Sequence, residues 1–146
     1  MKSLPKRLCI SIGGFFGPCY TVTLKKGHLT YTYLSSRDSC SQELEPHPHP
    51  QREQIQPSPE QWENFRRTLN RLNVWSWQAK YSNPAVCDGT GWSAKIVYSD
   101  RSLVSSGDNC FPGRDGRAVP ITEDRTDNTF ENFCRAVGRL IGREFH

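Results

Sequence analysis

Apolar and polar residues alternate early in this chain and recur every three to four residues in two later stretches, and these two rhythms define its elements. Leu8, Ile10 and Ile12 alternate with Cys9 and Ser11, the period of a half-buried strand. Gly13-Gly14-Phe15-Phe16-Gly17-Pro18 then breaks the pattern. Tyr20, Val22 and Leu24 share one face and are followed, after Lys26-Gly27, by Leu29, Tyr31 and Tyr33. Thr21, Thr23, Thr30 and Thr32 fall on the opposite face. This predicts a hairpin whose turn uses glycine's tolerance of positive φ.

The helical rhythm begins at Ser58-Pro59-Glu60-Gln61, with serine as N-cap, proline at N1 and glutamine placed to close a capping box. Trp62, Phe65, Leu69 and Leu72 mark its buried face, and Asn73 ends it. From Val74 to Tyr81 alternation returns, with Trp75, Trp77, Ala79 and Tyr81 on one face of a predicted strand. Trp92, Ala94, Ile96 and Tyr98 form the next inward set, and a turn at Ser99-Asp100 leads to a returning strand through Leu103 and Ser105. After a loop of about twenty residues, a second helix is predicted from Asn128 as N-cap, with Glu131 at N3 and Phe130, Phe133, Val137, Leu140 and Ile141 as its stripe.

The order is βββ-α-βββ-α. It implies an α+β fold, an antiparallel sheet of about six strands with both helices packed on one face. The two halves resemble each other in element order, without a residue-level repeat. Residues 1–146 are expected to form a single domain. Between Ser35 and Pro57 the periodicity vanishes into "EPHPHPQREQIQPSP", a stretch too polar to offset its ordering, which reads as a surface excursion. Its His47 and His49 make only an exposed pair, and no metal or other cofactor is implied.

Aliphatic content is modest, so aromatic rings, 11 % of the residues, must supply much of the core. No apolar run nears the roughly 18 residues of a membrane span. The N-terminus starts like a secretion signal, but glycines and Pro18 break the apolar stretch. Six scattered cysteines fall well below the density of a disulfide scaffold and contain no Cys-x-x-Cys pair. Reduced thiols and a cytoplasmic location are expected.

Strand directions bring several loops to one rim of the sheet. The Trp75 strand ends where the Trp92 strand begins, and the next hairpin returns there. Asn83, Asp88, Gly89, Trp92, Asp108 and Asn109 should therefore cluster, with the N-terminus of the first helix pointing the same way. Two readings stand. The loops cap one another, as Asp-Gly and Asn turns commonly do, or they form a shallow binding site with Asp88 and Asn109 as anchors and Trp92 as a wall.

The pattern Trp75-x-Trp77…Tyr81…Asp88-Gly89-x-x-Trp92-Ser93…Gly107-x-Asn109-x-x-Pro112 resembles a family of small uncharacterised bacterial proteins. The resemblance covers about a third of the chain. It departs from the pattern at Cys110-Phe111 and implies a fold rather than an activity.

Catalytic arrangements are sparse. Cys87 beside Asp88 could act as a nucleophile only if a distant histidine such as His28 approached it, and no triad, paired-carboxylate, phosphate-loop or zinc spacing occurs. A net charge of +4 permits an acidic partner. Lys2, Lys6, Arg7, Lys25, Lys26, Arg66, Arg67, Arg71, Arg135, Arg139 and Arg143 could contact nucleic acid, but they are spread over many elements and match no reader motif. The expected function is a non-enzymatic protein-binding module: an inhibitor, immunity or accessory factor. Nucleic-acid binding or a small enzyme built on Cys87 and Asp88 are the alternatives.

Overall fold

The computed structural model describes residues 4–14, 19–34, 51–82, 90–120, 127–143 and 145. Strand β1 (Arg7–Gly14) is followed by β2 (Cys19–Lys25), β3 (His28–Leu34), β4 (Gln51–Ile55) and helix α1 (Pro59–Leu72). A 3-10 turn at Val74–Ser76 leads to β5 (Lys80–Ser82), β6 (Thr90–Val97) and β7 (Ser102–Asp108). Two short strands, β8 (Cys110–Pro112) and β9 (Ala118–Pro120), flank a second 3-10 turn before helix α2 (Thr129–Ile141). Seven strands form one sheet in the order β4-β3-β2-β1-β6-β7-β5, and β8 pairs with β9 in a small second sheet. The fold is α+β, with one strand more in the main sheet than the six expected.

Local chemistry explains the elements. Lys26 and Gly27 have φ of 50° and 82°. They form a two-residue turn between the paired Lys25 and His28, with the positive φ angles that match the twist of a hairpin. At α1, Gln61 N donates to Ser58 Oγ (3.2 Å) while Ser58 N donates to Gln61 Oε1 (2.8 Å), closing the capping box.

The core is one aromatic-rich layer between sheet and helices. Tyr33, Tyr20, Ile12, Trp92, Gly107 and Tyr81 lie in register across six strands, all on the helix side. Phe133 of α2 meets Trp77 at 5.1 Å and Phe130 meets Trp92 at 5.0 Å. Past the helix, Phe145 reaches Tyr20 at 5.9 Å and Arg143 bonds Glu53 of β4 at 2.5 Å, so α2 crosses the sheet from β6 towards its β4 edge. Helix α1 is clamped to the β6–β7 hairpin. The Arg66 guanidinium lies 4.5 Å over the Tyr98 ring and contacts both Asp100 oxygens at 2.6 and 2.8 Å. Among the described residues no helix is long and apolar enough to cross a membrane.

Four expectations need correction. Val74–Tyr81 is not a continuous strand: Asn73 turns left-handed (φ 53°), Ser76 Oγ bonds Asn73 O, and a 3-10 turn results. Only Lys80–Ser82 is extended, and it pairs parallel with β7, making the sheet mixed rather than wholly antiparallel. Trp75 is consequently half-buried against Tyr98, while Trp77 enters the core. Second, Gln51–Ile55, placed in the surface excursion, is the edge strand β4, with Ile55 opposite Leu29 and Glu53 opposite Tyr31. An edge strand is held by backbone bonds along one side, so its composition can stay polar. The rest of that excursion, including His47 and His49, lies outside the described residues. Third, β4 delivers the chain to α1 beside Leu29, at the end of the sheet opposite Asp108, so the start of α1 does not point to the predicted rim. Fourth, Asn128 is the N-cap of α2 as expected, but its side chain makes no capping bond; Asp127 Oδ1 accepts from Thr129 N at 3.1 Å instead.

Candidate functional site

The end of β5, the start of β6 and the end of β7 meet at one end of the sheet. Ser82 at the end of β5 and Gly91 at the start of β6 both lie beside Asp108 at the end of β7. Asn83, Asp88, Gly89 and the Cys87 of the enzyme alternative fall outside the described residues. Of the others, Asp108 is exposed, whereas Asn109 is 5 % exposed and holds a left-handed turn with φ of 55°. Trp92 is equally buried. Its ring packs against Trp77, Tyr81 and Phe130, and its Nε1 donates to Cys110 O at 2.9 Å. Trp92 and Asn109 are thus part of the interior, and Asp108 alone of the three faces solvent.

Neighbouring titratable groups are tuned by burial. The Tyr81 hydroxyl donates to Gly116 O (2.6 Å) and accepts from Gln78 N, and burial raises its pKa. Burial pushes the Cys134 thiol up to about 12, with the Glu131 charge adding to the effect, which disfavours a nucleophilic thiolate there. Among the described residues no three metal-ligating side chains gather.

A larger surface lies on the other side of the sheet. The inward residues of β1, β2, β3, β6 and β7 meet the helices, and their alternates form the opposite face. One row runs Arg52, Thr32, Thr21, Ser11, Ser93, Ser106, Lys80 across all seven strands; a second runs Gln54, Thr30, Thr23, Cys9, Lys95, Val104. At roughly 4.8 Å per strand the first row spans about 29 Å. Its hydroxyls interact along the sheet, with Ser11 Oγ 2.8 Å from Ser93 Oγ. Val104 is 60 % exposed beside Lys95.

Charge is distributed unevenly between the two faces. Arg66, Arg67, Arg101, Arg117, Arg135 and Arg143 all sit against carboxylates. The cations of the open face, Arg7, Lys25, Arg52, Lys80 and Lys95, take part in none of these pairs. Asp108, at the margin, is the one carboxylate among the described residues of that face. All of these cations except Lys95 occupy its periphery. Arg52 lies on the β4 edge, Lys80 on the β5 edge, and Arg7 and Lys25 at one end; Thr21, Thr23, Thr30, Thr32, Ser11 and Ser93 fill a neutral centre. The alternating threonines were evident in the sequence, but their merging with β6 and β7 into one surface depends on the long-range β1–β6 pairing.

No family model, curated protein or solved structure matches this chain.

Proposed function

We propose that this protein is a non-enzymatic binding module that presents its open sheet face to an acidic surface on a protein partner, in the manner of an inhibitor, immunity or accessory factor. The observation that supports it is the excess of five cations over one carboxylate, Asp108, among the described residues of a face that no described helix covers. A centre with few charges and a polar, charged margin matches the charge distribution of protein interfaces. Val104 adds an exposed apolar contact that a phosphate backbone would not use. Binding nucleic acid without sequence readout would favour cations along the middle of the surface and aromatic rings to stack bases. Among the described residues the face has Lys95 near its middle, and its one ring is the His28 imidazole, opposite Lys25 at the margin. A cytoplasmic location is consistent with this reading, and Cys9, Cys19 and Cys134 form no disulfide.

Affinity capture from the native host, comparing the wild type with a Lys95→Glu/Val104→Glu variant, tests it. A protein retained by the wild type, lost by the variant and indifferent to nuclease supports the proposal. Identical captured sets, or capture abolished by nuclease, contradict it.

A further inference from the structure

The open face is charged differently at its two ends. Arg7 begins β1 and Lys25 ends β2, so both lie at one end. Asp108 lies at the other, where β6 starts and β7 finishes, about 20 Å away along the strands. Asp108 stands opposite Gly91, and Gly91 opposite Gly13, so two adjacent strands carry no side chain there. A β-carbon on Gly91 would lie 3.4 Å from Asp108 Oδ1, and one on Gly13 would lie 2.5 Å from Cys19 Sγ. Carboxylate and thiol thus lean in from the two sides of a bare backbone strip, their strands three spacings and roughly 14 Å apart. Asp108 is exposed, and among the described residues it joins no ion pair, whereas six arginines elsewhere do find carboxylates. Lys80 pairs in register with Ser106, two residues before Asp108, and forms no ion pair with it.

Resting on the reading of this face as a partner surface, we propose that Asp108 receives a lysine or arginine side chain of the partner, laid on the Gly13–Gly91 strip, and so fixes the orientation in which the partner docks. A lone carboxylate among five cations weakens attraction to a uniformly acidic surface in every orientation. It helps only where the partner meets it with a cation, and there it rejects the reversed arrangement by setting like charges together. The strip suits such a visitor, because the hydrocarbon stem of a lysine or arginine can lie on bare backbone while its charged head reaches the carboxylate. The partner is thus a protein whose acidic surface carries a basic side chain at the end that meets Asp108.

The probe is the protein captured with the wild type and lost with Lys95→Glu/Val104→Glu, titrated calorimetrically against exposed-site variants that melt like the wild type. Asp108→Asn keeps the shape and removes the charge, and the two accounts of Asp108 give it opposite signs. Plain attraction between the cations and an acidic partner makes it bind more tightly; a docked cation makes it bind at least about tenfold more weakly. The expected result is the loss, a larger loss in Asp108→Lys, and binding by Asp108→Glu closer to wild type than that of Asp108→Asn. Gly91→Leu fills the strip without touching the charge and should also lose at least about tenfold. Asp108→Asn binding as tightly as wild type, or more tightly, would overturn the proposal while leaving the partner surface intact, and so would full affinity in Gly91→Leu. A probe that proves to be nucleic acid, or no protein lost with Lys95→Glu/Val104→Glu, would overturn the partner surface itself and this proposal with it.

Discussion

Trp92 and Gly107 face each other on neighbouring strands so closely that a β-carbon at Gly107 would lie 2.5 Å from Trp92 Nε1 and 2.5 Å from Cys110 O. The missing side chain is what lets the indole lie across β7 and donate to the Cys110 carbonyl at 2.9 Å. Gly107→Ala must push apart an indole and a backbone carbonyl, neither of which can yield easily. Overpacking of this kind costs roughly 1–3 kcal/mol. Urea denaturation should show that loss with an unchanged slope; a midpoint equal to wild type would mean that the ring has room to move.

Two tryptophans of the same cluster differ in how their N–H groups are satisfied. Trp92 Nε1 is bonded, whereas Trp77 Nε1 is buried with no partner among the described residues. Replacing Trp92 with Phe leaves the Cys110 carbonyl without this donor, while replacing Trp77 with Phe removes a donor that gains nothing from its burial. Both changes lose similar ring volume, so Trp92→Phe should be the more destabilising by about 1 kcal/mol. The same denaturation series measures the difference, and the reverse order would contradict it. Trp77→Ala, which empties a site between Trp92 and Phe133, should cost roughly 3–5 kcal/mol.

The fold was legible in the sequence wherever side-chain rhythm and backbone role coincide. The Tyr20–Leu24 and Leu29–Tyr33 hairpin, the Ser58 capping box and the stripe of α2 follow from period and turn chemistry alone. Legibility failed where backbone bonding decides without apolar side chains, as in β4. It failed again where a left-handed Asn73 and a Ser76 hydroxyl redirect a stretch whose alternation imitates a strand. The candidate surface was half visible. The threonine alternation of β2 and β3 was plain, but nothing local to Lys80, Lys95 or Arg52 shows that they share a face, because pairings across as many as ninety residues put them there. Arg66 illustrates the converse, a residue read only among scattered cations that could contact nucleic acid, which proves to be a clamp on Tyr98 and Asp100.

Asp127 joins α2 to the turn after β8. Its side chain is 5 % exposed, and it accepts from Arg114 N (2.8 Å), Arg117 Nε (3.0 Å) and Thr129 N (3.1 Å). Burial alone would raise its pKa, but those donors outweigh it and hold the carboxyl down to about 2. A depressed carboxyl pKa stabilises the fold fully above the ordinary value of 3.8, and that stabilisation is lost as pH falls through about 2. Asp127→Asn should therefore melt below wild type at pH 7, with the gap closing between pH 4 and pH 2. A gap that stays constant over that range would show that the charge is not what matters.

The chemical reactivity of Cys9 tests the central claim most directly, because this exposed thiol lies on the open face, opposite Thr23 and Lys95. Its rate of alkylation by iodoacetamide is to be measured, peptide by peptide, in the isolated protein and in the complex captured from the host. A partner seated on the sheet should slow modification of Cys9 by at least about tenfold, an effect that a partner held elsewhere has no means to produce. An unchanged Cys9 rate in a stable complex would contradict the assignment of the open sheet face as the binding surface.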